Sequence, residues 1–333
     1  MSPSTYTSPE RWGERFAWRS AGLRFFAYRF YLRQRFGHPV QRVSVDAGLS
    51  CPNATGTSAG CVFCDNRSFS PSRRLRTEGL IEPGIAQQLD AGIARLQRRY
   101  PGCAHFVAYF QPSTNTFGPI CRLREVYEQA VNHANVVAVA IGTRPDCVGD
   151  DALDLLTEIA ARTHLSVEFG MQTMHDRTLE WMHRGHGHAA TVDAIERSRG
   201  RGFEIGTHVI VGLPGESGED NLATARELAR LNVHAVKLHN LYAVEGTPLA
   251  EWTRTGRVEL IDRATYVRRV VDMLEVLPPH TVIQRLGGDA PREFLVGPAW
   301  CLDKTAVRQA IDAEFDRRGT WQGRGFSRAE AVG

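Results

Sequence analysis

Apolar positions along the chain alternate between two patterns. Short runs rich in β-branched and aromatic residues recur, and a longer stretch with apolar positions at helical spacing follows each run. The short runs predict strands over residues 40–46, 105–110, 136–141, 165–169, 205–211, 235–241 and 281–285. The longer stretches predict helices over residues 81–99, 123–133, 151–162, 189–201, 219–231 and 264–276.

This alternation predicts parallel strands joined by right-handed helical crossovers. Six or so repeats are too few for a complete eight-stranded barrel and favour an open one. We therefore predict an α/β fold, a partial (β/α)6 TIM-type barrel over residues 39–290. An N-terminal arm over residues 1–38 would precede the barrel, and a short C-terminal helical extension over residues 291–333 would follow it.

Composition adds the broad class of protein. Of 333 residues, 42% are hydrophobic and 23% are charged, which is typical of a globular protein with a substantial core. The first 48 residues are polar and rich in arginine, unlike a signal peptide, and no apolar run is long enough to span a bilayer. We therefore expect a cytoplasmic protein with no membrane partner. The net charge of +3 is too small to demand an anionic partner.

Three of the seven cysteines, Cys51, Cys61 and Cys64, lie in one loop directly after the first predicted strand. Their clustering and the odd total argue against a disulfide framework. A structural zinc site would need a fourth ligand from a remote residue. A [4Fe-4S] cluster held by three thiolates would leave one iron open to a substrate. We favour the cluster, because a barrel mouth is where reactive groups collect.

Other polar or glycine residues follow the later predicted strands. In a barrel of parallel strands, the loops after the strand ends form one catalytic face. The candidates for that face are Gln111, Thr114 and Asn115, the segment 143–146, Glu168 and Gln172, and Gly212. Glu168 interrupts an apolar run, so we expect it to be buried and to need a partner or a ligand, and we favour a ligand.

Several segments together resemble one family. The cysteines are separated by nine and two residues, Phe63 precedes the last of them, and Val45-Asp46-Ala47-Gly48 comes before the first. Further matching blocks lie at residues 109–116, 143–146, 168–173, 184–186, 207–216 and 320–323. In this order, from about residue 24 to residue 324, the chain resembles the radical S-adenosylmethionine (SAM) proteins of the YhcC type, relatives of the Elp3-like branch.

The resemblance implies a catalytic [4Fe-4S] cluster on Cys51, Cys61 and Cys64, whose open iron chelates the amino and carboxylate groups of SAM. One electron from a flavodoxin-type or ferredoxin-type donor would then cleave SAM to methionine and a 5′-deoxyadenosyl radical. The cofactors supply this chemistry, and the protein binds and orients them.

The resemblance also implies residue roles around SAM. Phe63 would border the adenine, and Glu168 and Gln172 would reach toward the ribose or the methionyl group. Gly212 would pack on the adenosine. The segment that contains Gln111, Thr114 and Asn115 replaces the glycine-rich loop that usually holds the SAM amino group. The chain lacks the usual Gly-Gly-Glu there, which leaves the amino-group contact open.

The other histidines and cysteines carry weaker signals. His183, His186 and His188 are not spaced like metal ligands on one helical face, so we favour structural or phosphate contacts. His208 and His239 lie near strand ends and are either proton donors or satisfied barrel histidines. The remaining cysteines are predicted to be small core residues, with Cys147 the one candidate for a reactive thiol; they are Cys103, Cys121, Cys147 and Cys301.

Residues 11–42 interleave arginine with aromatic residues, and Arg73, Arg74 and Arg76 add a basic patch beside the cysteine loop. This pattern fits an amphipathic helix with its guanidinium groups free for phosphates. Together with the Elp3-like kinship, it makes tRNA the leading substrate and a wobble-uridine side chain the leading target. Two alternatives stay open: radical chemistry on a small metabolite or lipid, and a zinc-stabilised RNA-binding adaptor without turnover.

Overall fold

Seven strands form one parallel, curled sheet in the computed structural model, which describes residues 17–54, 60–68, 70, 73 and 84–327. In spatial order the strands are β1 (Val40–Val45), β2 (His105–Phe110), β3 (Val136–Thr143), β4 (His164–Gln172), β5 (Glu204–Val211), β6 (Ala235–Asn240) and β8 (Val282–Leu286). A short antiparallel pair, β7 (Ala243–Val244) and β9 (Leu295–Gly297), lies apart from this sheet. The predicted α/β partial barrel is confirmed.

Helices connect the strands. They are α1 (Ala17–Ser20), α2 (Tyr28–Phe36), α3 (Ile85–Arg99), α4 (Ile120–Val131), α5 (Asp150–Ala160), α6 (Asp176–Trp181), α7 (His188–Ser198), α8 (Gly218–Arg230), α9 (Pro248–Arg254), α10 (Arg263–Val276) and α11 (Lys304–Arg318). Residues 81–83 of the first predicted crossover helix lie outside the described part of the chain. No described helix is both long and apolar enough to cross a membrane.

Alternate residues of each strand serve two environments. On β1, Val43 and Val45 belong to the main hydrophobic core, whereas Arg42 and Ser44 line a cavity inside the barrel. The same alternation runs along β2, where Phe110 packs in the main core and Tyr109 lines that cavity. The inside of the barrel is therefore a separate, more polar compartment.

Helices α1 and α2 close the amino-terminal end of the barrel, which we call the floor. Trp18 and Tyr31 are buried there against inward-facing strand residues such as Val107. The Tyr31 hydroxyl donates to Glu204, the first residue of β5, at 2.5 Å and lies 3.3 Å from Nε2 of His164, the first residue of β4. The arm is thus attached at the strand starts, opposite the cysteine loop.

The exposed arginines of α2, Arg29, Arg33 and Arg35, consequently face solvent at the floor. Aromatic packing on the barrel with free guanidinium groups is what the sequence predicted for this segment. The position of these guanidinium groups was not predicted: they lie one strand length from the cysteines. The earlier members of the basic segment, Arg11, Trp12, Arg15 and Phe16, lie outside the described residues, as do Arg74 and Arg76.

Gln322 fastens the N-terminal arm to the barrel. Its fully buried side chain accepts from the Phe26 amide at 2.9 Å and donates to the carbonyls of Pro278 at 2.7 Å and Thr281 at 2.8 Å. The Trp18 indole also donates to the carbonyl of Pro279 at 3.1 Å. These bonds give the block at residues 320–323 a structural role, which is to join the two ends of the described chain.

Candidate active site

The cysteine loop follows β1 at the carboxyl-terminal end of the barrel, which we call the mouth. Cys61 is buried, Cys51 is half-buried and Cys64 is exposed. The Asn53 amide donates to the Cys61 sulfur at 3.3 Å and to the carbonyl of His183 at 2.6 Å. The Val62 amide donates to the carbonyl of Met182 at 3.1 Å. The loop is therefore held from both sides by the segment after α6.

Arg184 connects this segment to the cysteines. Its buried guanidinium donates through Nη2 to the carbonyl of Gly170 at 2.7 Å, and through Nη1 it lies 3.6 Å from the Cys61 sulfur. The carbonyl of Arg184 accepts from Arg144 at 2.8 Å, and Arg144 is paired with Asp146 at 2.8 Å. A guanidinium and an amide N–H donor thus face the Cys61 sulfur.

Two of the three histidines in this segment, His186 and His188, interact with neighbouring protein groups. His188 pairs with Glu227 at 2.9 Å, and burial followed by the Arg184 charge lowers the pKa of His186 to about 4. Within the described residues, no three His, Cys, Asp or Glu side chains converge on one metal ion. A cubane cluster bonds each thiolate to a different iron, so its ligands surround a larger volume than a single ion requires.

The three thiols interact electrostatically. Protein around the Cys64 sulfur desolvates it, although the residue is exposed, and the Cys61 and Cys51 thiols add repulsion; together they raise the pKa of Cys64 to about 12. Three thiolates so close together need a cation between them. The chemistry of this donor set fits a cluster of iron ions with one thiolate on each of three irons.

A cavity of about 610 Å³ extends from the cysteine loop into the barrel. Three of the predicted site residues, Phe63, Gln111 and Gln172, line it. The volume is within the usual range for sites that bind small molecules, about 300–1,000 Å³. Ser44 Oγ donates to the amide oxygen of Gln111 at 2.8 Å, which orients that side chain.

Glu168 lies beneath this cavity and is 1% exposed. Its Oε2 accepts from the Lys237 ammonium, which also lies 2.9 Å from the Tyr109 hydroxyl, and from His208 at 2.9 Å. Burial raises the pKa of Glu168, but the Lys237 charge and the His208 hydrogen bond outweigh it and hold that pKa well below its usual range. Its expected burial is thus observed, but the structure gives it a protein partner where we favoured a ligand. Contact with SAM stays a prediction.

Comparison with known proteins identifies the family. The model named Radical SAM superfamily matches residues 53–228, which is more than half of the chain, and the model named Radical_SAM C-terminal domain matches residues 233–317. The chain belongs to the radical SAM superfamily. Its cofactors are therefore a [4Fe-4S] cluster and SAM, and the protein is an enzyme that requires an electron donor.

Two curated relatives match nearly the whole radical SAM chain. YtqA of Bacillus subtilis is 36% identical over 317 residues, which is 95% of this chain and 97% of its own. YhcC of Escherichia coli is 35% identical over 293 residues, which is 86% of this chain and 91% of its own. The resemblance to the YhcC type is confirmed.

Solved structures share the fold. The archaeal Elp3 of Methanocaldococcus infernus superposes with a TM-score of 0.61 at 17% identity, over 85% of this chain and 64% of that one. HydG, a maturase of the [FeFe]-hydrogenase, superposes with a TM-score of 0.55 at 13% identity, over 92% of this chain and 60% of that one. The radical SAM chain thus spans less than two thirds of either solved protein.

Thr114 and Asn115 do not line the cavity of this radical SAM enzyme. Both are buried, and the Asn115 amide donates to three backbone carbonyls, those of Phe110, Pro112 and Gly142, at 2.9 to 3.1 Å. The amide therefore holds the loop that follows β2 in its shape. Whether this loop contacts the SAM amino group stays a prediction.

Gly212 directly follows β5 and has a φ of +91°, a conformation that other residues rarely adopt. A Cβ atom there would lie 2.5 Å from Cδ1 of Ile261, so Ile261 can pack in this position only because residue 212 has no side chain. Contact between Gly212 and the adenosine of SAM stays a prediction.

We expect Gly212→Ala to lower the free energy of unfolding by about 2–4 kcal/mol, because it combines backbone strain with overpacking against Ile261. Gly215→Ala is the matched control, since Gly215 has a φ of +79° and open space around its Cβ position. It should cost only about 1 kcal/mol. Chemical denaturation of both variants checks this, and equal losses would contradict the packing argument.

Two further arginines of the radical SAM core enter the cavity without having been predicted. Arg42 points inward from β1, and Arg285 from β8. The register between β6 and β8 shifts before Lys237, so that Arg285 pairs with Lys237 and shares its side of the sheet. Lys237 had a signal in the sequence, a lysine within an apolar strand.

Arg73, by contrast, binds other groups of the protein. Its guanidinium pairs with the buried Asp46 at 3.0 Å and donates to the carbonyl of Leu49 at 3.0 Å. It braces the loop between β1 and the cysteines, so the predicted basic patch loses this member as a phosphate contact. The Asp46 carboxylate also accepts from the Gly48 amide at 2.9 Å, which explains part of the block at residues 45–48.

The four remaining cysteines differ in exposure. Cys103 and Cys301 are buried, as predicted for core residues, while Cys121 is exposed on α4. Cys147 is half-buried, and burial followed by the charge of Asp146 raises its pKa to about 11. The raised pKa and the partial burial both disfavour a reactive thiolate, so they do not support a nucleophilic role for Cys147.

Proposed function

We propose that this radical SAM enzyme binds its cluster through Cys51, Cys61 and Cys64 and modifies the side chain of a wobble uridine in tRNA. The observation that carries the proposal is the cavity, which begins at the cysteine loop and is lined by cationic, aromatic and amide side chains. A single base splayed from an RNA loop can enter such a site, stack on an aromatic ring and be read by hydrogen bonds.

Relatives that share about half of the chain support the choice of uridine. The protein named tRNA uridine(34) acetyltransferase of Dehalococcoides mccartyi is 28% identical over 184 residues, 54% of this chain and 39% of its own. Elongator complex protein 3 of Homo sapiens is 26% identical over 159 residues, 46% of this chain and 28% of its own. Most of each relative has no counterpart here, so the proposal takes only the kind of base, and takes it from the acetyltransferase alone.

Residues of this chain would divide the work. When bound, the reduced cluster and SAM supply a carbon-centred radical that abstracts hydrogen. Phe63 would border the adenine of SAM at the cavity rim, and Gln111 and Gln172 would direct hydrogen-bonding groups toward the bound molecules. Because the cavity extends inward from the cysteines, the uridine side chain would lie deeper than the cluster.

RNA would be held at the mouth. The arginines of α2 are at the floor and cannot contact a nucleotide that enters beside the cysteines. Trp181 and Trp252 pack in the same cluster as Phe63, with their ring centroids 5.7 Å apart. The guanidinium carbon of Arg257 lies 4.5 Å from the centroid of the Trp252 ring. Both tryptophans are half-buried and Arg257 is exposed, which suits stacking and phosphate contact.

Mass spectrometry of tRNA nucleosides from a strain that lacks the gene tests the proposal. One wobble-uridine derivative should disappear almost completely and its precursor should accumulate. Wild-type protein and an Arg33→Gln variant should restore the product, whereas Cys61→Ala should not. An unchanged set of tRNA nucleosides would refute the tRNA substrate and leave the radical chemistry to another molecule.

A further inference from the structure

We propose that Arg42 and Lys237 form an anion subsite at the inner end of the cavity, which binds a carboxylate or phosphate of the substrate. This inference rests on the proposed function for its uridine substrate. It adds that the substrate presents an acidic group inside the barrel.

Arg42 forms no direct ion pair with an acidic side chain among the described residues, although the Glu168 charge acts on it from a distance. Its guanidinium lies 4.6 Å from the ring centroid of Tyr28 and 4.8 Å from that of Tyr109, and its polar contacts are neutral ones, with the Tyr28 hydroxyl and, at 3.5 Å, with the amide oxygen of Gln284. Other arginines near the site, such as Arg144 and Arg73, have carboxylate partners.

Lys237 lies close to Arg42. The Lys237 ammonium is 4.1 Å from the ring centroid of Tyr109, the same ring that Arg42 contacts, and both side chains line the cavity. Burial, with the Arg42 charge among the causes that follow, lowers the pKa of Lys237 to about 7. An anion placed between the two cations would offset both the burial and the repulsion.

The charges around the inner cavity do not balance. Two arginines, Arg42 and Arg285, and the partly charged Lys237 face it, against the two carboxylates Glu168 and Asp289. Asp289 is also shared with an outer cation, Lys304, at 2.8 Å. An uncompensated charge inside a protein is costly unless a ligand or partner neutralises it.

The chemistry of Arg42 selects the ligand. A guanidinium beside two aromatic rings presents a planar fork of N–H donors, which matches the two oxygens of a carboxylate or phosphate. In a tRNA substrate, that group would be either an acidic substituent on the uracil ring or the phosphate of the nucleotide itself.

Ligand binding to the anaerobic holoenzyme with SAM present separates these sources. The probes are 5-carboxymethyluridine, its neutral amide, uridine 5′-monophosphate, succinate and inorganic phosphate, each measured by calorimetry. Arg42→Gln should weaken the acidic probe that binds by about 30-fold, the equivalent of about 2 kcal/mol for a lost partner of a buried charge. Arg42→Lys should recover part of the affinity, and Arg33→Gln on exposed α2 should bind like wild type.

Each result has a distinct meaning. Preference for the carboxylate over its amide places the acid on the uracil substituent, and preference for the monophosphate places it on the nucleotide. Arg42-dependent binding of succinate or phosphate without any nucleoside supports the subsite while arguing against a uridine substrate. Equal binding of acid and amide without any preference for the monophosphate, absence of Arg42-dependent anion binding, or a loss of SAM affinity alone in Arg42→Gln would overturn the proposal.

Discussion

Protein that carries Cys61→Ala, purified without oxygen, is expected to contain less than about one tenth of the wild-type iron and sulfide and to release no 5′-deoxyadenosine from SAM and dithionite. Cys61 is the buried member of the three thiols and receives donors from Asn53 and Arg184. Without its sulfur, two thiolates would hold a cluster that needs three or four. Cys51→Ala and Cys64→Ala should give the same result.

Cys103→Ala and Cys301→Ala are the matched controls, because each removes a buried thiol away from the cysteine loop. Both should keep the brown colour and the release of 5′-deoxyadenosine. A brown and active Cys61→Ala protein would refute the ligand assignment. A wild-type protein that is colourless, loaded with zinc and inert would mean that the adaptor alternative describes the molecule.

Lys237→Met is expected to lower the free energy of unfolding by about 3–5 kcal/mol, since it leaves the Glu168 carboxylate buried without its main counter-ion. His208 remains 2.9 Å from that carboxylate. Burial, followed by the Lys237 charge, lowers the pKa of His208 to about 4, so loss of Lys237 should raise that pKa. Urea denaturation and NMR titration of His208 measure the two effects.

The double variant Glu168→Gln, Lys237→Met should recover part of the lost stability, because both charges are then removed together. Lys304→Met is the control on an exposed lysine and should change stability by less than about 0.5 kcal/mol. A Lys237→Met protein as stable as wild type would show that Glu168 does not depend on this partner.

The strand cores were predictable because buried parallel strands are continuous apolar runs, as in residues 105–110, where prediction and structure coincide. The strand ends were not. β4 continues past Phe169 to Gln172, because pairing to β5 resumes after an irregularity at Gly170 and Met171. The antiparallel pair of β7 and β9 was missed because two or three residues carry no measurable period.

The candidate site was predictable where chemistry is concentrated in one segment. Three cysteines in fourteen residues indicate a metal centre, and their position after a predicted barrel strand favours an iron–sulfur cluster. Arg184 and Lys237 act through partners 123 and 69 residues away, and nothing local marks such a contact. Arg285 depends on a register shift, which moves a side chain to the other face without any change in the apolar pattern.

The basic arm shows a different limit. Its aromatic residues predicted packing against the barrel, and that packing is observed. Which end of the barrel receives the arm depends on contacts with residues at the starts of β4 and β5, far away in sequence. The hypothesis that its arginines contact tRNA phosphates therefore loses support for a nucleotide that enters beside the cysteines, although the arm itself was identified.

The bonds of Gln322 constrain the order of events during synthesis. The Phe26 amide obtains its partner only after the ribosome has added nearly three hundred further residues, since the acceptor is Gln322. Strands β1 to β6 can pair before that moment, and Tyr31 can already reach the starts of β4 and β5. The arm can therefore dock in two steps during synthesis, first through Tyr31 and later through Gln322.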